Sequence, residues 1–368
     1  MSSPATWSIE PHTQAKHDLL RFYLNAWFPI LSSGRNQHVI FLDGFAGPGI
    51  YTGGEPGSPI IALETLIRHS HFPRMSQTEF TFIFIEKDPS CYQSLKDQLA
   101  DFWSLSGGKP NNIYVHSIND EFRNVAEQIA TSALGTLAPT LAFIDPFGWS
   151  GVPMTTIRDL LSSRKCEVLF NFAYDSVNRF VGEEAPSVAH HFAELFGTTG
   201  TEYQDASRLA ADDRKVFLRD LYVDKLREVG GFSFVKPFEV INQSRGRTAY
   251  FLVFGTRNPT GFDRMKGAMW RVDPEYGCRY SGEEDNQLSL FSRAPQLSPL
   301  KAALRDRFAG STIVVKRLEE YVVEETDYTT THYKRVLKEL EDEGLMSCVS
   351  GRKKRGTYPP GAVLHFEP

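Results

Sequence analysis

The 368 residues carry 41% hydrophobic and 23% charged side chains, with a formal net charge of −5. That balance excludes a disordered or fibrous chain, and the length suits one large α/β domain plus a smaller second unit. The slight acidity excludes wholesale coating of nucleic acid and leaves room only for a local basic patch.

The opening MSSPATWSIEPHTQAKHDLL has no basic region followed by an apolar one. No stretch approaches the roughly 20 apolar residues of a membrane span, so no membrane partner is expected and the chain reads as cytoplasmic. From about Thr13 to Leu31, Leu19, Leu20, Tyr23, Leu24, Trp27 and Ile30 recur at helical spacing and predict an amphipathic helix. Short apolar runs then alternate with helical patterns: HVIFLD (38–43), FTFIFIE (80–86), NIYVHS (112–117), TLAFID (140–145) and EVLFNF (167–172). This rhythm predicts a mostly parallel, doubly wound sheet. After helical segments reaching Leu226, FVKPFEVIN (234–242) and TAYFLVFGT (248–256) flank QSRGR, which reads as a hairpin turn. Five alternating strands closed by a hairpin match the strand count of the class I methyltransferase sheet. Cys91, Cys166, Cys278 and Cys348 lie far apart, without a CxxC pair or histidines at ligand spacing, so no metal is expected.

Residues 281–298 are polar and lack sustained periodicity, which predicts a linker between a domain of residues 1–280 and one of 299–368. In the latter, helices are expected at Pro299–Phe308, Val315–Glu325 and Thr330–Glu343. The strands MSCVSG and AVLHFE follow, joined by RKKRGTYPPG. Three helices and a basic β-wing describe a winged helix-turn-helix. The expected fold class is α/β: a Rossmann-like class I methyltransferase sheet, mostly parallel with a closing hairpin, plus this small C-terminal domain.

FLDGFAGPG (41–49) runs an apolar strand straight into a glycine-rich turn. Gly44, Gly47 and Gly49 permit positive φ and let backbone N–H groups approach an anionic or carboxylate-bearing ligand; the alternative is a plain tight turn. Asp43 at the strand end can accept from the ammonium of a methionine moiety, and Phe45 can wall the pocket beside it. FIFIEKD ends the second strand on Glu86, a carboxylate able to accept from two ribose hydroxyls, or simply a solvated strand-end acid. Its separation from Gly49 exceeds the usual 20 or so residues of a dinucleotide fingerprint. Asn119 or Asp120, after the third strand, is placed to bond an adenine amino group, with an Asx turn capping the next helix as the alternative. LAFIDPFGW sets Asp145, Pro146, Phe147 and Gly148 at the carboxyl edge of the sheet, where open α/β sheets hold their ligands. Methyltransferases acting on nucleobase amino groups carry a similar acid-Pro-Pro-aromatic turn there, with an acid on the target nitrogen and an aromatic ring on the base. Here Phe147 replaces the second proline. The glycine turn also resembles that of cytosine-5 methyltransferases, but Asp145-Pro146 stands where their Pro-Cys nucleophile belongs, which disfavours covalent cytosine chemistry.

Taken in order, KHDLLRFYLNAW, FLDGFAGPG, GSPIIAL, FIEKD, IDPFGW, FNFAYDSVNRF and YFLVFGT resemble the three-Cys-motif partner protein family, TcmP, over nearly the whole chain. The resemblance implies an S-adenosylmethionine-dependent, methyltransferase-like protein paired with a cysteine-rich, radical-enzyme-like partner. Family-like positions without clear chemistry are Lys16, Asn171, Asn178 and Arg179. Lys16 reads first as a solvated helix lysine and second as a group at the site's mouth. Asn171 can face the site, and Arg179 is either a phosphate ligand or a surface ion pair.

Within the linker, QLSLF resembles the short peptide by which bacterial proteins dock on the replication sliding clamp. Gln287, Leu288, Leu290 and Phe291 would fill an apolar groove, or else pack on the protein itself. Lys334, Arg335 and Lys338 on the third C-terminal helix and Arg352, Lys353, Lys354 and Arg355 in the wing stand at positions that meet DNA or RNA, with protein docking as the alternative. Two functions remain: a methyltransferase using Asp43, Gly44, Gly47, Gly49 and Glu86 for its donor and the 145–148 turn for its acceptor, or a non-catalytic nucleotide-binding adaptor recruiting a partner to DNA through the winged helix.

Overall fold

The computed structural model describes residues 6–368 except 7, 34–35, 134–136, 199 and 282–293. The clamp-like peptide 287–291 therefore lies outside the described residues. Two compact units result, one running up to Asn258 with a return from Arg279, the other made of Pro259–Cys278 and the C-terminal segment ending at Pro368.

In the first unit, α1 (Pro11–Ser33) precedes β1 (His38–Asp43), α2 (Ser58–Ile67), β2 (Glu79–Ile85), α3 (Pro89–Leu105) and β3 (Ile113–Ile118). Then come α4 (Phe122–Ala133), β4 (Thr140–Ile144), α5 (Met154–Leu160), β5 (Cys166–Phe172), α6 (Tyr174–Phe180), α7 (Pro186–Phe196) and α8 (Ala211–Glu228). The hairpin β6 (Phe234–Asn242) and β7 (Arg247–Thr256) follows, and the short β8 (Arg279–Tyr280) closes the unit. The strands form one sheet in the order β3-β2-β1-β4-β5-β7-β6-β8. β1 to β5 run parallel, and β7 enters antiparallel to both β5 and β6. Every residue of β4 and β5 is buried, as expected of strands covered by helices on both faces. Strand order reverses between β1 and β4, so a crevice opens outside the carboxyl ends of these two strands.

The α1 stripe buries Leu19, Leu20, Tyr23, Leu24 and Trp27, but Phe28 continues it in place of Ile30, which is exposed. Glu167 in β5 is fully enclosed and satisfied by neutral donors: the Tyr23 hydroxyl at 2.6 Å, the Trp27 indole at 2.8 Å and the Thr256 hydroxyl at 2.7 Å. α1, β5 and β7 are thereby pinned together at the end of the sheet opposite the crevice.

The second unit contains α9 (Pro259–Val272), α10 (Ser298–Phe308), β9 (Thr312–Val314), α11 (Val315–Glu325), α12 (Thr330–Asp342), β10 (Met346–Ser350) and β11 (Val363–Phe366). Its three-stranded sheet, β10-β11-β9, includes β9, too short a segment to be legible as a strand beforehand. The expected winged helix-turn-helix gains α9, which precedes the predicted linker yet packs on the turn between α11 and α12. Asp263 accepts from the backbone and hydroxyl of Thr330 at 2.9 and 3.0 Å, at the start of α12. The buried Lys266 ammonium donates to the carbonyls of Val322, Val323, Thr326 and Tyr328, neutralising the open end of α11. Trp270 donates to the Asp327 carbonyl at 2.9 Å. Residues 263, 266 and 270 share one helical face, so one helix fastens the whole turn.

No helix among the described residues is long and apolar enough to cross a membrane. No group of His, Cys, Asp or Glu among them is arranged to hold a metal ion.

Candidate functional site

The glycine-rich turn is strapped across the crevice by its own backbone. Gly44 N donates to Phe143 O at 2.9 Å, Ala46 N to Ile85 O at 2.8 Å, and Gly47 N to the Glu86 carboxylate at 2.9 Å. The turn leaving β1 and the acid closing β2 therefore meet directly. A Cβ on Gly44 would stand 2.7 Å from the Phe122 ring, and Gly49 takes φ +79°, so side chains are excluded at both places for separate reasons. Glu86 also accepts from Asp88 N at 2.7 Å. Each of its oxygens thus has one backbone donor and keeps acceptor capacity.

Two cavities flank this turn. The first, about 240 Å³, lies among the start of α1, residues 45–51, residues 145–148, Asn171 and Tyr250. The second, about 410 Å³, is bounded by Glu86, Asp120–Arg123, Phe147 and the α7 residues His190, His191 and Glu194. Phe45, Pro146 and Phe147 border both, so one extended ligand spanning them would run along the glycine turn.

Asp43 sits fully buried under the turn, with Oδ1 accepting from Phe45 N at 3.1 Å and Oδ2 without a hydrogen-bond partner. Burial pushes its pKa up to about 7, an effect that the neighbouring Ser58 hydroxyl and Phe45 amide only partly offset. Lys16, expected first as a solvated lysine, is instead 7% exposed and ion-paired with Asp145. The cause is local: the first turns of α1 face the end of β4, where Asp145 offers a carboxylate. The other Asp145 oxygen accepts from Asn171 Nδ2 at 2.6 Å. His17 lines the same cavity; burial first, then the Lys16 charge, lowers its pKa to about 3 and keeps it neutral. His12 is lowered too, chiefly by burial, and its carbonyl accepts from the Tyr250 hydroxyl.

Asn119 and Asp120 part company. The Asn119 amide turns to the backbone and ties the Glu86 and Lys87 carbonyls at 2.8 and 3.1 Å. Asp120 accepts from the adjacent Glu121 N at 2.7 Å and from the Asn124 amide at 2.8 Å, not from the N–H two residues on that an Asx turn would use, while lining the second cavity. Phe147 is 72% exposed at the rim shared by both cavities, and Gly148 has φ +97°. Arg179 joins a surface ion pair with Asp175, and Asn178 accepts from Arg214. His12, His17, Tyr51 and Tyr250 also line the first cavity; His17 lies inside KHDLL and Tyr250 opens YFLVFGT, where nothing local marks them as site residues, and His12 and Tyr51 belong to no motif.

In the winged helix, Lys334, Arg335 and Lys338 are exposed on α12, as are Lys353 and Lys354 in the wing. Arg352 and Arg355 pair with Glu341 and Asp342 on α12, Arg352 half-buried and Arg355 exposed. Arg352 and the Tyr358 hydroxyl hold the Glu341 carboxyl down at about 2.

Residues 279–350 match the model of the GMT-like wHTH domain. No curated protein matches the chain. Among solved structures, similarity extends to a Legionella pneumophila protein of the DUF519 family model, at 14% identity and TM-score 0.37, covering 66% of this chain and 85% of that one. It also extends to the O-methyltransferase TomG of Streptomyces achromogenes, solved with SAM, at 12% identity and TM-score 0.31, covering 70% and 92%. The fold itself rests on the strand order and register: a mixed α/β sheet of methyltransferase type, followed by a winged helix.

Proposed function

We propose that the first unit is an S-adenosylmethionine-dependent methyltransferase. The observation carrying this reading is the Gly47–Glu86 hydrogen bond, which draws the β1 turn and the β2 carboxylate onto one crevice at the point where strand order reverses. The residues fit the donor: Asp43 keeps a buried, unpaired oxygen beneath the turn, where an ammonium would satisfy it. Glu86 has acceptor capacity for ribose hydroxyls, and Phe45 with Phe122, ring centroids 5.6 Å apart, offers apolar faces beside it. S-adenosylmethionine, when bound, supplies a methyl on a sulfonium: the acceptor's lone pair forms the new bond as the carbon–sulfur bond breaks, its electrons stay on sulfur, and the acceptor's proton leaves to water. Lys16, Asp145 and Asn171 position the acceptor, and alignment of the reacting atoms supplies most of the rate.

Calorimetric titration with the donor tests this. Glu86→Ala removes an acceptor of charge-assisted bonds, each worth about 1.5–3 kcal/mol, and is expected to weaken binding at least about tenfold. Absence of binding by the unaltered chain would refute the reading. Incubation with methyl-labelled donor and nucleic-acid or protein fractions, alone and with the three-Cys-motif partner suggested by the TcmP resemblance, would locate the acceptor.

A second reading, the nucleotide-binding adaptor, is favoured by five exposed basic residues, Lys334, Arg335, Lys338, Lys353 and Lys354, which make no ion pair among the described residues. An adaptor binds the donor without transferring its methyl. Lys353→Glu with Lys354→Glu is expected to lower the salt dependence of DNA binding by about 0.9 in log–log slope per lost phosphate contact.

A further inference from the structure

A carboxylate accepts hydrogen bonds and donates none, so Asp145 decides which end of the Asn171 amide faces it. Nδ2 of Asn171 donates to Asp145 Oδ1 at 2.6 Å, while Lys16 engages Oδ2. The amide therefore has only one workable orientation, and its Oδ1 is a fixed acceptor aimed away from Asp145. That oxygen is buried and has no hydrogen-bond partner, on a residue only 8% exposed that lines the first cavity. Unpaired buried acceptors are costly and uncommon, and a ligand donor removes the cost. Six flat side chains line the same cavity: His12, His17, Phe45, Tyr51, Phe147 and Tyr250. Rings on several sides select a planar guest. A keto oxygen opposite Asn171 Oδ1 would set lone pair against lone pair, whereas an amino group would donate to it.

We propose that Asn171 Oδ1 is the acceptor-recognition atom of the site and takes a hydrogen from the exocyclic amine of a planar heterocycle, which is the class of group methylated. This rests on the methyl-transfer reading above. Lys16 and Asp145 are positioning residues that act by fixing the amide.

The test titrates the full chain with adenosine and cytidine, which carry the amine, and with inosine and uridine, which carry a carbonyl in its place, with and without S-adenosylhomocysteine. The amino members are expected to bind at least about tenfold tighter than their keto counterparts. Asn171→Ala should cut that ratio below about threefold while leaving S-adenosylmethionine affinity within about twofold. Asp145→Asn releases the amide to turn over and should erase the preference as well, a result that mere loss of packing would not produce; thermal melts confirm that both variants fold. Equal binding of amino and keto nucleosides, no nucleoside binding in either state, or a preference that survives Asn171→Ala overturns the proposal. Weakened donor binding by Asn171→Ala overturns it too, since Asn171 would then belong to the cofactor. Failure of the methyl-transfer reading looks different: the amino preference persists without cofactor while the unaltered chain binds no S-adenosylmethionine.

Discussion

Asp43→Asn should make the protein more stable at alkaline pH and remove a pH dependence that the buried carboxyl imposes. The Asp43 carboxyl titrates near 7 in the folded chain against an ordinary 3.8. Between those values the unfolded chain has already released the proton that the folded chain retains. Stability therefore falls as pH rises from about 4 to 7 and is flat above. At about 1.36 kcal/mol per pH unit, the gap is worth about 4 kcal/mol. Asparagine carries no charge, so its stability lacks this slope. It keeps the acceptor for Phe45 N but buries an amide nitrogen where Oδ2 had no partner, at a cost of about 1–3 kcal/mol. The variant is thus expected to be less stable than the original near pH 4.5 and more stable, by about 1–3 kcal/mol, at pH 8.5. Urea unfolding of both proteins at these two pH values measures the swing. Parallel pH dependence of the two would refute the reasoning, because Asp43 would then be titrating as an ordinary carboxylate.

Three further outcomes follow from buried polar groups. Lys266→Met removes the donor to four carbonyls at the end of α11; with the ammonium's own burial set against its bonds, the loss is about 2–4 kcal/mol, against under 0.5 for Lys301→Met in the exposed Lys301–Glu343 pair. Scanning calorimetry of the second unit's transition distinguishes the two. Glu167→Leu leaves the Tyr23, Trp27 and Thr256 donors without an acceptor and should cost the first unit about 3–5 kcal/mol in a denaturant titration, with Glu167→Gln losing much less. His332 is pushed down to about 4, first by burial and then by the Arg335 charge. Its contribution is complete above pH 6.5 and lost as pH falls through 6.5 toward 4, and guanidinium unfolding of His332→Gln should show a flatter profile over that interval.

The strands were legible because β1, β2, β4 and β5 are near-continuous apolar runs between helical patterns, the form buried parallel strands must take. The crevice was legible for a related reason: Gly44 and Gly49 interrupt such a run where a Cβ would collide or φ is positive. Lys16 was not. Periodicity places it on the polar side of an amphipathic helix, and only the partner on β4, 129 residues away, makes that side an interior one. α9 was missed as part of the winged helix on the same grounds. Asp263, Lys266 and Trp270 look like an ordinary mixed helix face until the turn at 326–330 is brought against them. Local pattern reports which residues leave water. It is silent on which polar groups find each other across the chain.

Such pairings separate scaffold from site. Glu167 and Lys266 are ionisable and enclosed, yet their bonding capacity is spent on partners within the fold, as stable interiors require. Among the described residues six buried side-chain atoms have no hydrogen-bond partner, and three belong to Asp43, Asn171 and His191. Asn171 and His191 each line one of the two cavities, and Asp43 lies directly beneath the turn between them. The other three, on Glu55, Arg214 and Tyr222, lie outside both cavities, so the crevice holds half of the unmet groups. Three unmet polar atoms gathered at or beneath one crevice are the arrangement expected when the missing partner is a ligand.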